Sequence, residues 1–254
     1  MSSETQYWKK WFDDQARQAQ SDYSLNRGTS LRFEELERRS LAQFMQAVAP
    51  KSTDVVLDAG CGSGRNISLL SPLVKEIVGI DFSEQMLDRA KEKVASEKLS
   101  NVTLHQGTVT QLTFPNNSFD KVICASVLQY LDDKDCAASI SEMLRVCKPG
   151  GTLVLHVKNG TSLYGTSIKL ARKVSSLLGR KVKPEIYRSR SWHERAVANA
   201  GGKIVDCDGF GFLTFVPCPN AIVKWLLWLE MNVLTLAAFK KLAVNYKITV
   251  RAEK

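Results

Sequence analysis

A chain of 254 residues fits one α/β domain with insertions and is long enough to bury a sizeable core. Its 44% apolar and 24% charged composition is ordinary for a soluble globular protein, and its six cysteines, without a CxxC pair, suit a reducing cytosol with neither disulfide scaffold nor structural zinc. The net charge of +9 is uneven: Thr161 to Lys203 carries ten Lys/Arg against Glu185 and Glu194. That segment suits an anionic partner (a phosphate-bearing substrate, a membrane surface or a nucleic acid) or forms a solvated loop face.

The N-terminus, MSSETQYWKKWF, lacks a long apolar core before a small-residue cleavage site, so no signal peptide is expected. Tyr7, Trp8, Trp11 and Phe12 share one face of a short helix, which packs on the domain or lies as a lid over a ligand. Gln15 to Thr29 reads as irregular. Ser30 to Ala49 reads as a helix burying Leu36, Leu41, Phe44, Met45 and Val48, stopped by Pro50. Val55 opens an apolar strand that ends in a carboxylate and breaks into alternating glycines, VVLDAGCGSGR. A short helix around Ile67 to Leu70 is limited by Pro72. Glu76 to Asp81 is a second strand ending in a carboxylate, and Ser83 caps the helix after it.

Val102 to Gln106 is a weaker third strand and Asp120 to Ser126 a fourth. Asp132 to Val146 reads as a helix ended by the breaker Lys148-Pro149-Gly150-Gly151, with a fifth strand from Thr152 to Val157. Strands alternating with helices at this spacing predict βαβ units and a parallel sheet. Beyond it lie the basic insertion, a helix opened by a capping box at Ser191-Trp192-His193-Glu194, and a sixth strand from Lys203 to Cys207. The last strand runs from Tyr246 to Ala252 in period-two alternation.

The glycines discriminate between ligands. A dinucleotide fingerprint would need a third glycine where Arg65 stands, and a P-loop would need a lysine that is absent. The pattern D-x-G-x-G-x-G instead suits a ligand with a cationic amino group near Asp58 and no pyrophosphate on the helix N-terminus. At the next strand end, the two acceptor oxygens of Asp81 suit vicinal ribose hydroxyls, and Phe82 offers a face to an adenine ring.

These residues resemble the class I S-adenosylmethionine (SAM)-dependent methyltransferases, of the small ubiquinone/menaquinone-methyltransferase-like type. Four blocks match in order between Asp54 and Val157: VVLDAGCGSG, IVGIDFS, FPNNSFDKVICASVLQYL and LRVCKPGGTLVL. The resemblance implies a Rossmann-like, doubly wound α/β sheet of seven strands, mostly parallel with an antiparallel last strand, and SAM as methyl donor. By that resemblance Asp58 and Gly60 face the methionine amino group, and Gly62 and Gly64 line the turn. Asp81 holds the ribose, and Ala125 and Ser126 sit beside the methionine part. Where the family often has an acidic acceptor for the adenine amino group, this chain has Thr108, followed by Val109; a hydroxyl accepts more weakly than a carboxylate.

The expected organisation is an N-terminal helical cap (1–50), a SAM-binding core (51–159), a basic insertion (160–190) and a C-terminal part of the same sheet (191–254). The last part contains an apolar segment, 217–241, too charged for a membrane span, which reads as a lid over an apolar acceptor or as a membrane-docking element. The reaction expected is attack by an O, N or C nucleophile on the activated methyl, with the protein supplying proximity and orientation. His156 and Tyr130 are the candidate bases. No cluster has metal-ligand spacing, so no metal is expected.

The sequence favours a cytoplasmic enzyme acting on a small-molecule or lipid-type, anionic acceptor, with peripheral contact to an anionic membrane surface. RNA or protein methylation through residues 161–203, and a non-catalytic interaction role, stay open as alternatives. Nucleic acid is disfavoured because Ala125-Ser126-Val127-Leu128 replaces any NPPY-like motif after the fourth strand.

Overall fold

The central strands are apolar at consecutive positions rather than alternate ones, which demands cover on both faces of the sheet. In a computed structural model that describes residues 3–18, 41–179, 185–210, 228 and 243–253, this cover is present. Val56, Ile77, Ile123 and Val154 pack on one side with Phe44, Val48, Ile67, Leu70 and Leu87. Their sequence neighbours Leu57, Val78, Val122, Leu153 and Leu155 pack on the other with Ile140, Met143, Leu144 and Val197. The single-residue offset between the two sets is the period-two pleat of a doubly covered sheet.

In chain order the elements are α1 (Ser3–Gln18), α2 (residues 41–48), β1 (Val55–Ala59), α3 (Arg65–Leu70), β2 (Glu76–Asp81), α4 (Glu84–Ser96), β3 (Val102–Gln106) and β4 (Phe119–Ala125). A 3-10 turn at Leu128–Tyr130 leads to α5 (Asp133–Val146), β5 (Cys147–Lys158), α6 (Leu163–Leu177), α7 (Arg190–Asn199), β6 (Gly202–Phe210) and β7 (Asn245–Ala252). The seven strands form one sheet in the order β3-β2-β1-β4-β5-β7-β6. Strands β1 to β5 are parallel, and β7 runs antiparallel to both β5 and β6. This is the seven-stranded, mostly parallel sheet expected. Strand order reverses beside β1, so a crevice opens at the carboxyl ends of β1 and β4.

Local chemistry explains most boundaries. The Ser83 hydroxyl accepts the Met86 N–H and starts α4, and the Asp132 carboxylate accepts the Asp135 N–H and starts α5. Pro72 lies in the first positions of a 3-10 turn, Ser71–Leu73, where α3 ends.

Five expectations need correction. Gln15 to Gln18, read as irregular, continue α1. The breaker Lys148-Pro149-Gly150-Gly151 lies inside β5: Phe119 pairs with Cys147 and Lys121 with Thr152, so the four residues bulge out between two registers. Gly150, at φ 72°, supplies the left-handed step that the bulge requires. The capping box is displaced, because Ser189 rather than Ser191 caps α7, through its hydroxyl and the Trp192 N–H. Glu194 instead pairs with Arg190 at 2.7 Å. The basic insertion contains a regular helix, α6, opened by a Ser162 cap on the Gly165 N–H. Finally, β7 is buried on both faces from Tyr246 to Val250: on one face Tyr246, Ile248 and Val250 join the core with Ile140, Met143 and Val197, and on the other Lys247 is drawn under α2 to donate to the Gln43 carbonyl at 2.8 Å. The segment 217–241, Trp228 apart, and the greater part of the Ser30–Ala49 helix lie outside the described residues.

Candidate active site

In a parallel sheet the carboxyl ends of adjacent strands share one edge, and the candidate residues occur at the carboxyl ends of β1 to β5. After β1, Gly60, Gly62 and Gly64 all adopt positive φ (82°, 53° and 82°), so the chain turns sharply into α3. The turn is tied to the next strand: the Gly60 and Cys61 N–H groups both donate to the Ile80 carbonyl, at 2.8 and 3.0 Å. The glycines differ in what surrounds them. A Cβ on Gly60 would meet Val127 Cγ2 at 2.3 Å and one on Gly64 would meet Ala90 Cβ at 3.2 Å, whereas one on Gly62 would meet nothing within 4 Å. The backbone at Gly62 therefore borders open space.

Asp81 ends β2 and is buried. One carboxylate oxygen accepts the Gly62 N–H and the other the Ser83 N–H, each at 2.9 Å. Burial raises its pKa, and the N–H groups of Ser83, Gly62 and Phe82 pull it back. Asp58, inside β1, is fully buried, and neither of its oxygens makes a hydrogen bond of ordinary geometry. Desolvation pushes its carboxyl up to about 7; the Asn66 side chain offsets part of the rise and the Asp81 charge adds to it. An uncompensated buried carboxylate is costly unless a cation meets it.

Beyond β3, Gly107 donates to the Asp81 carbonyl at 2.9 Å, which brings Thr108 and Val109 to the same edge. The Thr110 hydroxyl donates to that of Thr108 at 3.1 Å. Ala125 closes β4, and Ser126 follows in a left-handed conformation, φ 60°, with its N–H on the His156 carbonyl at 3.1 Å. His156 is held neutral with its pKa lowered to about 4, by burial first and then by the nearby Lys158 and Arg65 charges, while Asn245 partly opposes the shift.

The N-terminal helix completes the edge. The Trp8 ring, 2% exposed, lies 4.4 Å from that of Tyr130, centroid to centroid. Phe12 sits edge-on to both Tyr130 (5.1 Å) and Phe82 (6.1 Å). Asp13 is 2.5 Å from the Ser83 hydroxyl, and the Arg89 guanidinium donates to the Ala16 carbonyl at 2.7 Å. The aromatic face of α1 thus bridges the ends of β2 and β4, above the turn.

The sequence reading missed Asp13 and Arg188. Arg188 is buried: its guanidinium donates to Asp133 (2.8 Å) and to the carbonyls of Leu128 (2.9 Å) and Leu131 (2.6 Å), so it grips the turn that carries Tyr130. Nothing in the local sequence distinguished it from its basic neighbours. Much of the basic excess is likewise spent internally. Arg172 pairs with Glu185 at 3.0 Å, Arg190 with Glu194, and Lys169 donates to the Gly160 carbonyl at 2.8 Å.

Comparison with known proteins agrees with this geometry. Residues 56–151 match a family described as a methyltransferase domain. A demethylmenaquinone methyltransferase of Staphylococcus aureus is 36% identical over 170 residues, 63% of this chain and 67% of that protein. An uncharacterized methyltransferase of Schizosaccharomyces pombe is 37% identical over 109 residues, and there the match spans only 38% of the relative's length. Among solved structures, magnesium protoporphyrin IX methyltransferase from Synechocystis with bound SAH shares the fold at a TM-score of 0.65 and 16% identity, over 97% of this chain and 99% of that one. Haemonchus contortus phosphoethanolamine N-methyltransferase 1 does so at 0.69 and 15%, over 99% of this chain and 50% of that one.

Proposed function

The chain belongs to the class I SAM-dependent methyltransferases, and from that premise we propose that it methylates a small, largely apolar acceptor bearing an anionic group. The observation that carries the SAM assignment is the buried Asp58 carboxylate, which lacks a hydrogen bond of ordinary geometry beside an open glycine turn. A ligand ammonium supplies the charge that Asp58 lacks. Gly60, Gly62 and Gly64 let the backbone approach the ligand, and Asp81, Phe82, Thr108 and Val109 hold its nucleoside part. Ala125 and Ser126 lie along its amino-acid part. SAM supplies a methyl group on a sulfonium, already activated for in-line transfer.

The protein's own contribution is then orientation and the exclusion of water. Trp8, Phe12 and Tyr130 form an aromatic roof that favours an apolar acceptor and dries the site. His156 and Tyr130 are the proton acceptors at this edge. With a pKa near 4, His156 relieves only an acceptor that is already acidic, so proximity carries the rate and base strength contributes little. The names of the relatives support a small-molecule acceptor: a quinone precursor, a porphyrin and phosphoethanolamine. Nucleic acid is not the acceptor proposed, because Arg172, Arg188 and Arg190 are engaged with Glu185, Asp133 and Glu194. The reading also includes peripheral contact with an anionic membrane surface, from which a lipid-type acceptor would be drawn.

Incubation with methyl-labelled SAM and fractionated cell extract tests the proposal. Label entering an organic-soluble or small anionic product supports it. Label entering only RNA or protein overturns it.

A further inference from the structure

Helix α6 turns a full aliphatic stripe to water. A surface helix normally turns its apolar stripe to the core and its charges to water. Here the side toward the body is the buried Gly165 with the half-buried Tyr164, Ile168, Arg172 and Ser175, and the exposed Lys169 flanks it. Gly165 sits so close to the body that a Cβ there would lie 2.4 Å from the Asn159 carbonyl oxygen. Lys169 donates to the Gly160 carbonyl, and Arg172 pairs with Glu185 and lies 5.1 Å from the Tyr187 ring centroid. The outward face carries Leu163 (76% exposed), Leu170 (65%), Val174 (48%) and Leu177 (79%), with Leu178 (66%) just beyond. Residues 163, 170, 174 and 177 fall on one stripe at helical spacing.

The charged residues of α6 itself have one sign: Lys169, Arg172 and Lys173. Between residues 161 and 184 there are six Lys/Arg and no Asp or Glu. Lys173 is exposed beside the stripe. The stripe is purely aliphatic, without the Trp, Tyr or Arg anchors that concentrate binding energy in protein interfaces. An aliphatic face on an acid-free, cationic helix matches the boundary between anionic headgroups and acyl chains. No helix among the described residues is long and apolar enough to cross a membrane.

We propose that α6 docks flat on an anionic lipid bilayer, with Leu163, Leu170, Val174 and Leu177 entering the acyl boundary and Lys173 facing the headgroups. The helix springs from the carboxyl end of β5, where Asn159 bonds the Val244 carbonyl at 2.8 Å and Ser162 caps the first turn. Docking there brings the carboxyl end of β5, which carries His156 and leads into α6, near a surface where an apolar acceptor resides. The inference rests on the proposed apolar acceptor for its purpose only, because docking is measurable with no acceptor present.

The test is flotation of the 254-residue chain with vesicles of phosphatidylcholine and phosphatidylglycerol, against phosphatidylcholine alone. The expected result is partition into the anionic vesicles at least about tenfold above the neutral ones, weakening as salt is raised. Leu170→Glu with Leu177→Glu, both solvent-facing changes, should lower partition about tenfold or more, as should Lys173→Glu to a smaller degree. SAM affinity by calorimetry should be unchanged in these variants, which keeps failure of docking separate from failure of the methyltransferase reading. Absence of partition into anionic vesicles, or a double variant that floats like the parent, overturns the proposal. A parent that self-associates, with association lost in the double variant and no vesicle binding, assigns the stripe to a second copy and overturns it too.

Discussion

The Asp81 carboxylate accepts the Gly62 N–H at 2.9 Å, so the side chain that ends β2 fixes the middle glycine of the turn that follows β1. Its other oxygen holds the Ser83 N–H, and Ser83 in turn caps α4 and meets Asp13 of α1. One carboxylate therefore organises the glycine turn, the start of α4 and the seat of the N-terminal helix.

Asp81→Ala should weaken SAM binding at least tenfold, since charge-assisted hydrogen bonds contribute roughly 1.5–3 kcal/mol each. It should also lower the melting temperature of the free protein, because the buried Ser83 N–H and the half-buried Gly62 N–H lose their acceptor. Calorimetric titration with SAM and a thermal scan check the two effects. Unchanged affinity would remove Asp81 from the ligand site.

The three glycines should separate stability from binding. Gly60→Ala drives a methyl into Val127 in a backbone at φ 82°, so a destabilisation of about 2–4 kcal/mol is expected. Gly62→Ala places its methyl in open space and costs only about 1 kcal/mol of backbone strain, yet it occupies the room beside the turn. The expected pattern is a stable Gly62→Ala protein with SAM affinity reduced about tenfold or more, and a Gly60→Ala protein with a low melting temperature. Denaturant titration and calorimetry on both variants give the comparison.

The sheet and the glycine edge were readable because each strand declares itself locally. The apolar runs Val55–Leu57 and Ile77–Ile80 each lead into a carboxylate, Asp58 and Asp81, and after β1 glycines follow where the backbone needs positive φ. The breaker at Lys148–Gly151 misled because a bulge and a strand start share the same residues. Only the pairing of Phe119 with Cys147 tells them apart. Arg188 was illegible for a related reason: its partners Asp133, Leu128 and Leu131 lie more than 50 residues away in sequence. A basic run reports charge, and only the fold reports which charges are already neutralised.

Arg188 gives a prediction about the acceptor side. Arg188→Met keeps side-chain bulk but orphans the Leu128 and Leu131 carbonyls, at a cost of about 2–4 kcal/mol. The turn holding Tyr130 then loosens, while Asp58, Asp81 and the glycines are untouched. Acceptor KM should rise, or kcat fall, several-fold with SAM affinity retained. Steady-state kinetics in both substrates distinguish this from general unfolding, which would lower both affinities.

Asp58 predicts an opposed pair of pH dependences. Its carboxyl is raised to about 7 by burial, against about 3.9 in an unfolded chain. Between those values the native state holds a proton that the unfolded state has released, so stability of the free protein should fall as pH rises from about 4 to 7 and then level off. A gap of that size between the folded and unfolded proton affinities corresponds to about 4 kcal/mol at most. SAM binding should run the other way, because a ligand ammonium prefers the ionised carboxylate. Affinity should climb roughly tenfold or more between about pH 5.5 and 7.5, with proton release at the acid end. Asp58→Asn should stabilise the free protein at neutral pH, weaken SAM binding and flatten both profiles. Calorimetry in buffers of different ionisation enthalpy counts the released protons directly. A pH-independent affinity in the parent protein would mean that the ligand's amino group is held elsewhere.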